Sequence, residues 1–195
     1  MLTNTFMHIQ GIGIKTEQTL WNTGMTDWDL ISSTSGLWVS TRLKWRLTTG
    51  IEESIKHLGE NDPAYFSKRL PGNQCWRLFQ EFRSSMAYVD IETTGLDRDY
   101  NEITTIALYD GHSIRTYVQG DNLSQFVDDI REYRTIVTCN GRCFDAPFIE
   151  RYFNMKLPHA HIDLRFILFS LGFRGGLKGC EKQLGMDRGD LDGVD

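Results

Sequence analysis

The sequence predicts an α/β fold: a mixed five-stranded sheet, part antiparallel and part parallel, flanked by helices and preceded by a small, mainly helical region. Three observations lead there. Three strand-like runs, Met86–Ile91, Ile103–Tyr109 and Ser113–Val118, follow one another, and the pair Asp110-Gly111 signals a hairpin between the last two. After them, helix-like and strand-like stretches alternate. Before residue 84 the pattern is helical.

In order, Lys15–Trp21 and Thr26–Ile31 read as short helices. Trp38–Leu58 mixes charged and apolar residues at helical spacing, with a break expected near Gly50. Asp62-Pro63 is a helix start, an acidic cap followed by proline at the first helical position. Ala64–Leu70 follows, Pro71-Gly72-Asn73 ends it as a turn, and Gln74–Arg83 leads onward. After the three strands, Leu123–Tyr133 reads as a helix, Thr135–Cys139 as a strand and Asp145–Phe153 as a helix. His161–Leu164 reads as a short strand entering the helix Arg165–Leu171. Gly175-Gly176 breaks the chain before a last helix, Leu177–Leu184. The expected organisation is residues 1–84 as a helical region and 85–195 as the sheet domain.

The 195 residues can bury a substantial core, and 40% hydrophobic with 24% charged residues is ordinary for a globular chain. No apolar run approaches the roughly 20 residues that span a bilayer. Phe166–Phe169 is short and flanked by Arg165 and Arg174, and Met1–Thr5 lacks the cationic start of a signal peptide, so no membrane association is expected. Cys75, Cys139, Cys143 and Cys180 show no CxxC spacing. They read as reduced thiols of a cytoplasmic protein, with a metal site or disulfide as the other reading. The net charge of −5 is unevenly spread: residues 1–84 carry nine Lys and Arg against eight Asp and Glu, and residues 85–195 carry 12 against 18. An acidic half beside a near-neutral half with basic clusters is compatible with metal-dependent chemistry on a polyanion.

The acidic half holds the chemistry. In Ala87–Leu96 two carboxylates, Asp90 and Glu92, lie two positions apart at the end of an apolar strand. Positions i and i+2 of a strand share a face, so both enter one small volume. Like charges that close call for a proton or a cation between them, and a hard divalent ion such as Mg²⁺ or Mn²⁺ prefers such oxygen ligands. Thr93-Thr94-Gly95 turns the chain, which places the pair at a strand mouth, where active sites of α/β folds tend to lie. A second acidic feature, Asn140–Asp145, follows the fourth strand. Asp145 reads either as a helix N-terminal acid or as a partner of Asp90 across two neighbouring parallel strands. Asp163 reads as a helix cap or, less directly, as a metal ligand.

Asp90-x-Glu92 with Thr-Thr-Gly behind it, then Asn140-x-x-x-Phe144-Asp145, resembles the first two motifs of the DEDD-type 3′–5′ exonucleases, members of the ribonuclease H-like superfamily. With Asn140–Glu150 and Gly175–Lys178 added, residues 84–195 look like a YprB-type ribonuclease H-like domain. The resemblance implies two-metal phosphodiester hydrolysis, with Asp90, Glu92 and Asp145 as metal ligands and Asp163 ordering the site. It implies that Thr93, Thr94, Gly95, Leu96, Asn140 and Phe144 meet the nucleic acid. Such enzymes carry a fourth acid in a Tyr-x-x-x-Asp or His-x-x-x-x-Asp motif. None follows residue 176, so the sequence reads as ending short of the family's last helices. The tail acids Asp187, Asp190, Asp192 and Asp195 read as solvated loop residues.

Residues Ile9–Trp21 resemble the turn of a helix-hairpin-helix module, in which Gly11, Gly13 and Lys15 would approach a phosphate. The other reading is a glycine turn that docks a helix through Ile12, Leu20 and Trp21. Arg42–Arg46 is a basic stretch around Trp45, either a backbone track or a solvated helix face with one buried Trp. His159 and His161, on one face of a strand, read as packing residues or a metal pair. The expected function is a metal-dependent nuclease of DNA or RNA. A nucleic-acid-binding module on a nuclease fold that does not cut is the alternative, and a protein-interaction domain is a third.

Overall fold

The computed structural model describes residues 1–34, 39–186 and 189. Trp38 and the tail acids Asp187, Asp190, Asp192 and Asp195 lie outside the described residues. The N-terminal part holds α1 (Ile14–Asn22), α2 (Trp28–Ser33), α3 (Thr41–Gly59), α4 (Pro63–Ser67) and α5 (Phe79–Phe82). Then follow β1 (Met86–Thr93), β2 (Ile103–Tyr109), β3 (Ile114–Val118), α6 (Phe126–Asp129), β4 (Thr135–Thr138), α7 (Asp145–Tyr152), β5 (Ala160–Asp163), α8 (Leu164–Ser170) and α9 (Gly176–Gln183).

The five strands form one sheet in the order β3-β2-β1-β4-β5, with β3-β2-β1 antiparallel and β1-β4-β5 parallel. The expected mixed sheet is therefore present. Asp110 accepts N–H bonds from His112 and Ser113, both at 2.8 Å, and Gly111 takes φ +95°, which closes the hairpin read from the sequence.

Two apolar clusters sandwich the sheet. On one face Ala87, Val89 and Ile91 of β1 pack with Phe126, Ile130, Phe148 and Ile149 under α6 and α7. On the other, Met86, Val137, Ala160 and Ile162 join Leu2, Phe6, Leu20, Trp28, Phe66 and Phe82 of the N-terminal region, with Leu164 and Ile167 of α8 alongside. The helical region is thus one layer of the molecule, and the hydrophobic core runs across residue 84.

Several local expectations shift. The helix expected to break near Gly50 is continuous from Thr41 to Gly59. Gly50 is buried there, and a Cβ on it would stand 2.6 Å from Cγ2 of Ile9. The glycine permits a close crossing of the N-terminal chain over α3. Asp62 caps α4 by accepting from the Tyr65 N–H at 3.2 Å, as its sequence suggests, but α4 stops at Ser67. The stretches 72–78, 123–125 and 130–132 are tighter 3₁₀ turns, so the helix expected over Leu123–Tyr133 is interrupted. Trp45, expected to be buried on its helix face, is exposed. No helix among the described residues is long and apolar enough to cross a membrane.

Candidate active site at the carboxylate rim

Alternation along β1 buries Val89 and Ile91 and leaves Asp90 and Glu92 exposed on the opposite face. β1 outruns its parallel neighbour: its pairing with β4 ends at Tyr88–Val137. The rim beside Val89–Thr93 is therefore free to receive the loop after β4 and the first turn of α7, and there Asp145 sits, 5% exposed.

Asp145 is the acidic residue in the first turn of α7, whose N-cap position, Phe144, makes no side-chain cap bond. Burial pushes its carboxyl up to about 6, and the neighbouring Asp90 charge adds to the shift, while the N–H groups of Asp145 and Ile91 act the other way. Asp90 is itself raised, because protein around it desolvates a carboxylate that still reaches solvent. Neither acid, nor Glu92, takes part in an ion pair among the described residues. The Asp90 charge thus acts on Asp145 from the neighbouring strand end.

Asp163 does a different job. It is fully buried, and its two oxygens accept N–H bonds from Asn140 (2.8 Å), Arg142 (3.0 Å) and Arg165 (3.0 Å). It caps α8 and ties the loop before Asp145 to the end of β5. With three donors on one carboxylate, the brace accounts for its position better than the metal-ligand reading. Asn140, at φ +72°, donates its N–H to this brace, and its side-chain oxygen accepts from Arg165. Its side chain is thereby committed to the loop.

The turn after β1 is also locked. Thr93 Oγ1 donates to the Gly95 carbonyl at 2.8 Å, and Glu102 N–H donates to Thr94 Oγ1 at 3.0 Å. A Cβ on Gly95 would lie 2.6 Å from Asn101 Oδ1, so a larger residue there would displace the Asn101 amide. Beyond it Leu96 projects, 86% exposed. Leu96 and Phe144 line one cavity of about 570 Å³, together with Arg98, Cys143 and Phe148. The structure therefore unites Leu96 and Phe144, whereas Gly11 and Gly13 border a separate cavity and Lys15 lines neither.

The histidines take individual partners: His161 Nε2 meets Thr138 Oγ1 at 2.8 Å and His159 Nε2 meets the Ile130 carbonyl at 3.0 Å. Burial pushes both imidazoles down, His161 to about 4, which favours packing over a charged role. Sequence reading missed Arg142 and Arg165, which serve the brace. Their one signal was proximity to the second motif and to Asp163.

A family model of the RNase_H superfamily matches residues 87–195, more than half the chain. The chain belongs to the RNase_H superfamily. The observed sheet order and its flanking helices are those of an RNase H-like fold. No curated protein matches. Among solved structures, the family B DNA polymerase from the hyperthermophilic archaeon Pyrobaculum calidifontis is 17% identical with a TM-score of 0.43, over 51% of this chain and 18% of that one. NrnC of Brucella melitensis bound to pGG is 19% identical with a TM-score of 0.41, over 54% and 55%. The same protein with bound Mg²⁺ is 20% identical with a TM-score of 0.41, over 57% and 59%. The chain thus spans under a fifth of the polymerase and somewhat over half of NrnC.

A divalent cation can be tested against the rim of this RNase_H superfamily member. The donor chemistry fits a hard ion: all-oxygen ligands, two of them holding protons more tightly than usual, and no cationic side chain paired with them. The number falls short, since among the described residues no three Asp, Glu, His or Cys side chains gather closely enough to hold a metal.

Proposed function

We propose that this chain is a metal-dependent nuclease of the 3′–5′ exonuclease type, with a YprB-type ribonuclease H-like domain, acting on DNA or RNA. The observation that carries the reading is the pairing of Asp90 and Asp145 at one rim, each carboxyl raised and neither neutralised by a basic side chain. Asp90, Glu92 and Asp145 would hold Mg²⁺ or Mn²⁺. Such an ion, if bound there, would supply positive charge toward a water and the scissile phosphate. Asp163 holds the Asn140–Arg142 backbone and so positions Asp145. Leu96 and Phe144 offer an apolar wall to a terminal base, beside the rigid Thr93-Thr94-Gly95 turn. The N-terminal glycine turn, read as helix-hairpin-helix-like, adds a backbone contact through Gly11, Gly13 and Lys15. Four free cysteines support a reducing, cytoplasmic setting.

The test is hydrolysis of a 5′-labelled strand with Mg²⁺ or Mn²⁺, comparing the parent with Asp90→Asn and Asp145→Asn. A ladder shortening from the 3′ end is expected, slowed on the order of 100-fold or more in either variant. Added Mg²⁺ should also raise the melting temperature of the parent at pH 8 more than that of Asp145→Asn. Equal cleavage by all three proteins would sink the reading. The second reading, a binding module that does not cut, draws on the shortfall of converging acids among the described residues. It predicts salt-dependent strand binding with no cleavage in either metal.

A further inference from the structure

A cavity lies away from the carboxylate rim, and its chemistry is opposite. It has a volume of about 830 Å³ and is lined by the turn 7–13 together with Lys68 and Arg69. No carboxylate lines it, in a chain whose net charge is −5. We propose that this cavity binds a phosphate group of a nucleic-acid strand through Lys68, Arg69 and the nearby Arg46. The inference rests on the nucleic-acid reading above and names the side chains that would hold the strand at the glycine turn.

Arg46 comes from α3, and Lys68 and Arg69 from the turn that follows α4. Arg69 is held in place: its guanidinium donates to the Tyr65 carbonyl at 2.9 Å and stands 3.7 Å over the Tyr65 ring. Lys68 is exposed, and neither it, Arg69 nor Arg46 joins an ion pair among the described residues. Arg46 reaches across from α3 and lies against Gly11, with its Nη1 2.5 Å from where a Cβ would stand. Gly11 also takes φ +83°, a backbone conformation that strains any residue with a side chain. The opening of α1 at Gly13, with no side-chain cap, adds its positive end to the same turn.

An independent feature marks the cavity wall. His8 is 2% exposed and borders the cavity, yet its Nδ1 has no hydrogen-bond partner. Ser54 Oγ donates to the Gly50 carbonyl, so His8 Nε2–H donates to Ser54 and Nδ1 keeps a bare lone pair. A bare acceptor suits a sugar hydroxyl or a water carried by the phosphate, rather than a further anionic oxygen. Lys68 also borders a second cavity of about 340 Å³ whose wall includes Arg142. Arg142 stands three residues before Asp145, donates to the His161 carbonyl at 2.7 Å, and shares this wall with Glu150.

The test reads binding in EDTA, where no metal-dependent cleavage occurs, so its failure is distinct from failure of the nuclease reading. A labelled single strand is titrated with the parent, with Lys68→Gln/Arg46→Gln and with Lys56→Gln as a distant control, across a KCl series. The double variant should bind about tenfold more weakly at 0.1 M KCl. Its salt slope should flatten by about 1.4, at roughly 0.7 for each single-strand phosphate contact removed. The control should match the parent. Amide spectra should show Gly11 and Gly13 shifting with the strand. Parent-like affinity and slope in the double variant would overturn the proposal. Glycine shifts with inorganic phosphate but not with the strand would overturn the strand as the source of the phosphate.

Discussion

At the scale of single residues, Asp145 ties stability to pH in a direction unusual for a carboxylate. Its folded value of about 6 lies above the ordinary 3.8, so between those values the folded chain binds the proton that the unfolded chain has released. Stability from this residue is therefore full below about pH 4 and is lost as pH rises to about 6. The displacement corresponds to on the order of 3 kcal/mol at about 1.4 kcal/mol per pH unit. Urea unfolding in metal-free buffer should show the parent losing more stability than Asp145→Asn across that window. His8 runs the other way. Burial first, then Arg69 and Arg77, push it from 6.5 to about 3, so its share of stability is present above pH 6.5 and lost as pH falls toward 3. The Asp145→Asn protein, freed of the carboxyl effect, should therefore show the histidine's acid loss more steeply than the parent.

At the scale of elements, Gly50 and Asp163 show how far local pattern reaches. A glycine inside a helical pattern normally weakens the helix, which is why a break is the natural expectation at Gly50. The helix continues because the N-terminal chain crosses there, with Ile9 in the space a Cβ would occupy. Gly50→Ala should destabilise by about 1–2 kcal/mol, the cost of overpacking less the gain in helix propensity. Pairing it with Ile9→Ala should cost less than the sum of the two single changes in thermal unfolding, since the smaller side chain vacates the clash. Asp163 was legible as an acid before a helix. Its three N–H partners were not, since they join residues more than 20 positions apart in two instances. The hairpin at Asp110-Gly111 was readable because all its bonds are local.

At the scale of the whole molecule, the sequence changes character near residue 84, yet the apolar cluster of the N-terminal region includes Met86, Val137, Ala160 and Ile162 of the sheet. Glu17, fully buried, accepts from Phe6 N–H at 2.6 Å and from Arg77 at 2.9 Å, which ties the first helix to the segment leading into β1. We propose that residues 1–84 and 85–195, distinct as sequence, unfold together. All five tryptophans lie in the first region, so their fluorescence reports it alone, while thiol labelling at Cys139 reports the second. Both probes should give one urea midpoint; separated midpoints would divide the chain into two folding units.

The sequence by itself determined the five strands, their antiparallel and parallel halves, the hairpin, and the rim where Asp90 and Glu92 share a face. These follow from period-two alternation and turn chemistry, which act over a few residues. Tertiary structure alone decided that Asp145 lies buried beside Asp90, that Asp163 serves as a brace, and that Gly50 sits within a helix. It also decided that Lys68, Arg69 and Arg46 gather at the glycine turn. Each of these depends on which distant segments pack together, and burial and neighbouring charge act through space, so no local pattern in the chain records them.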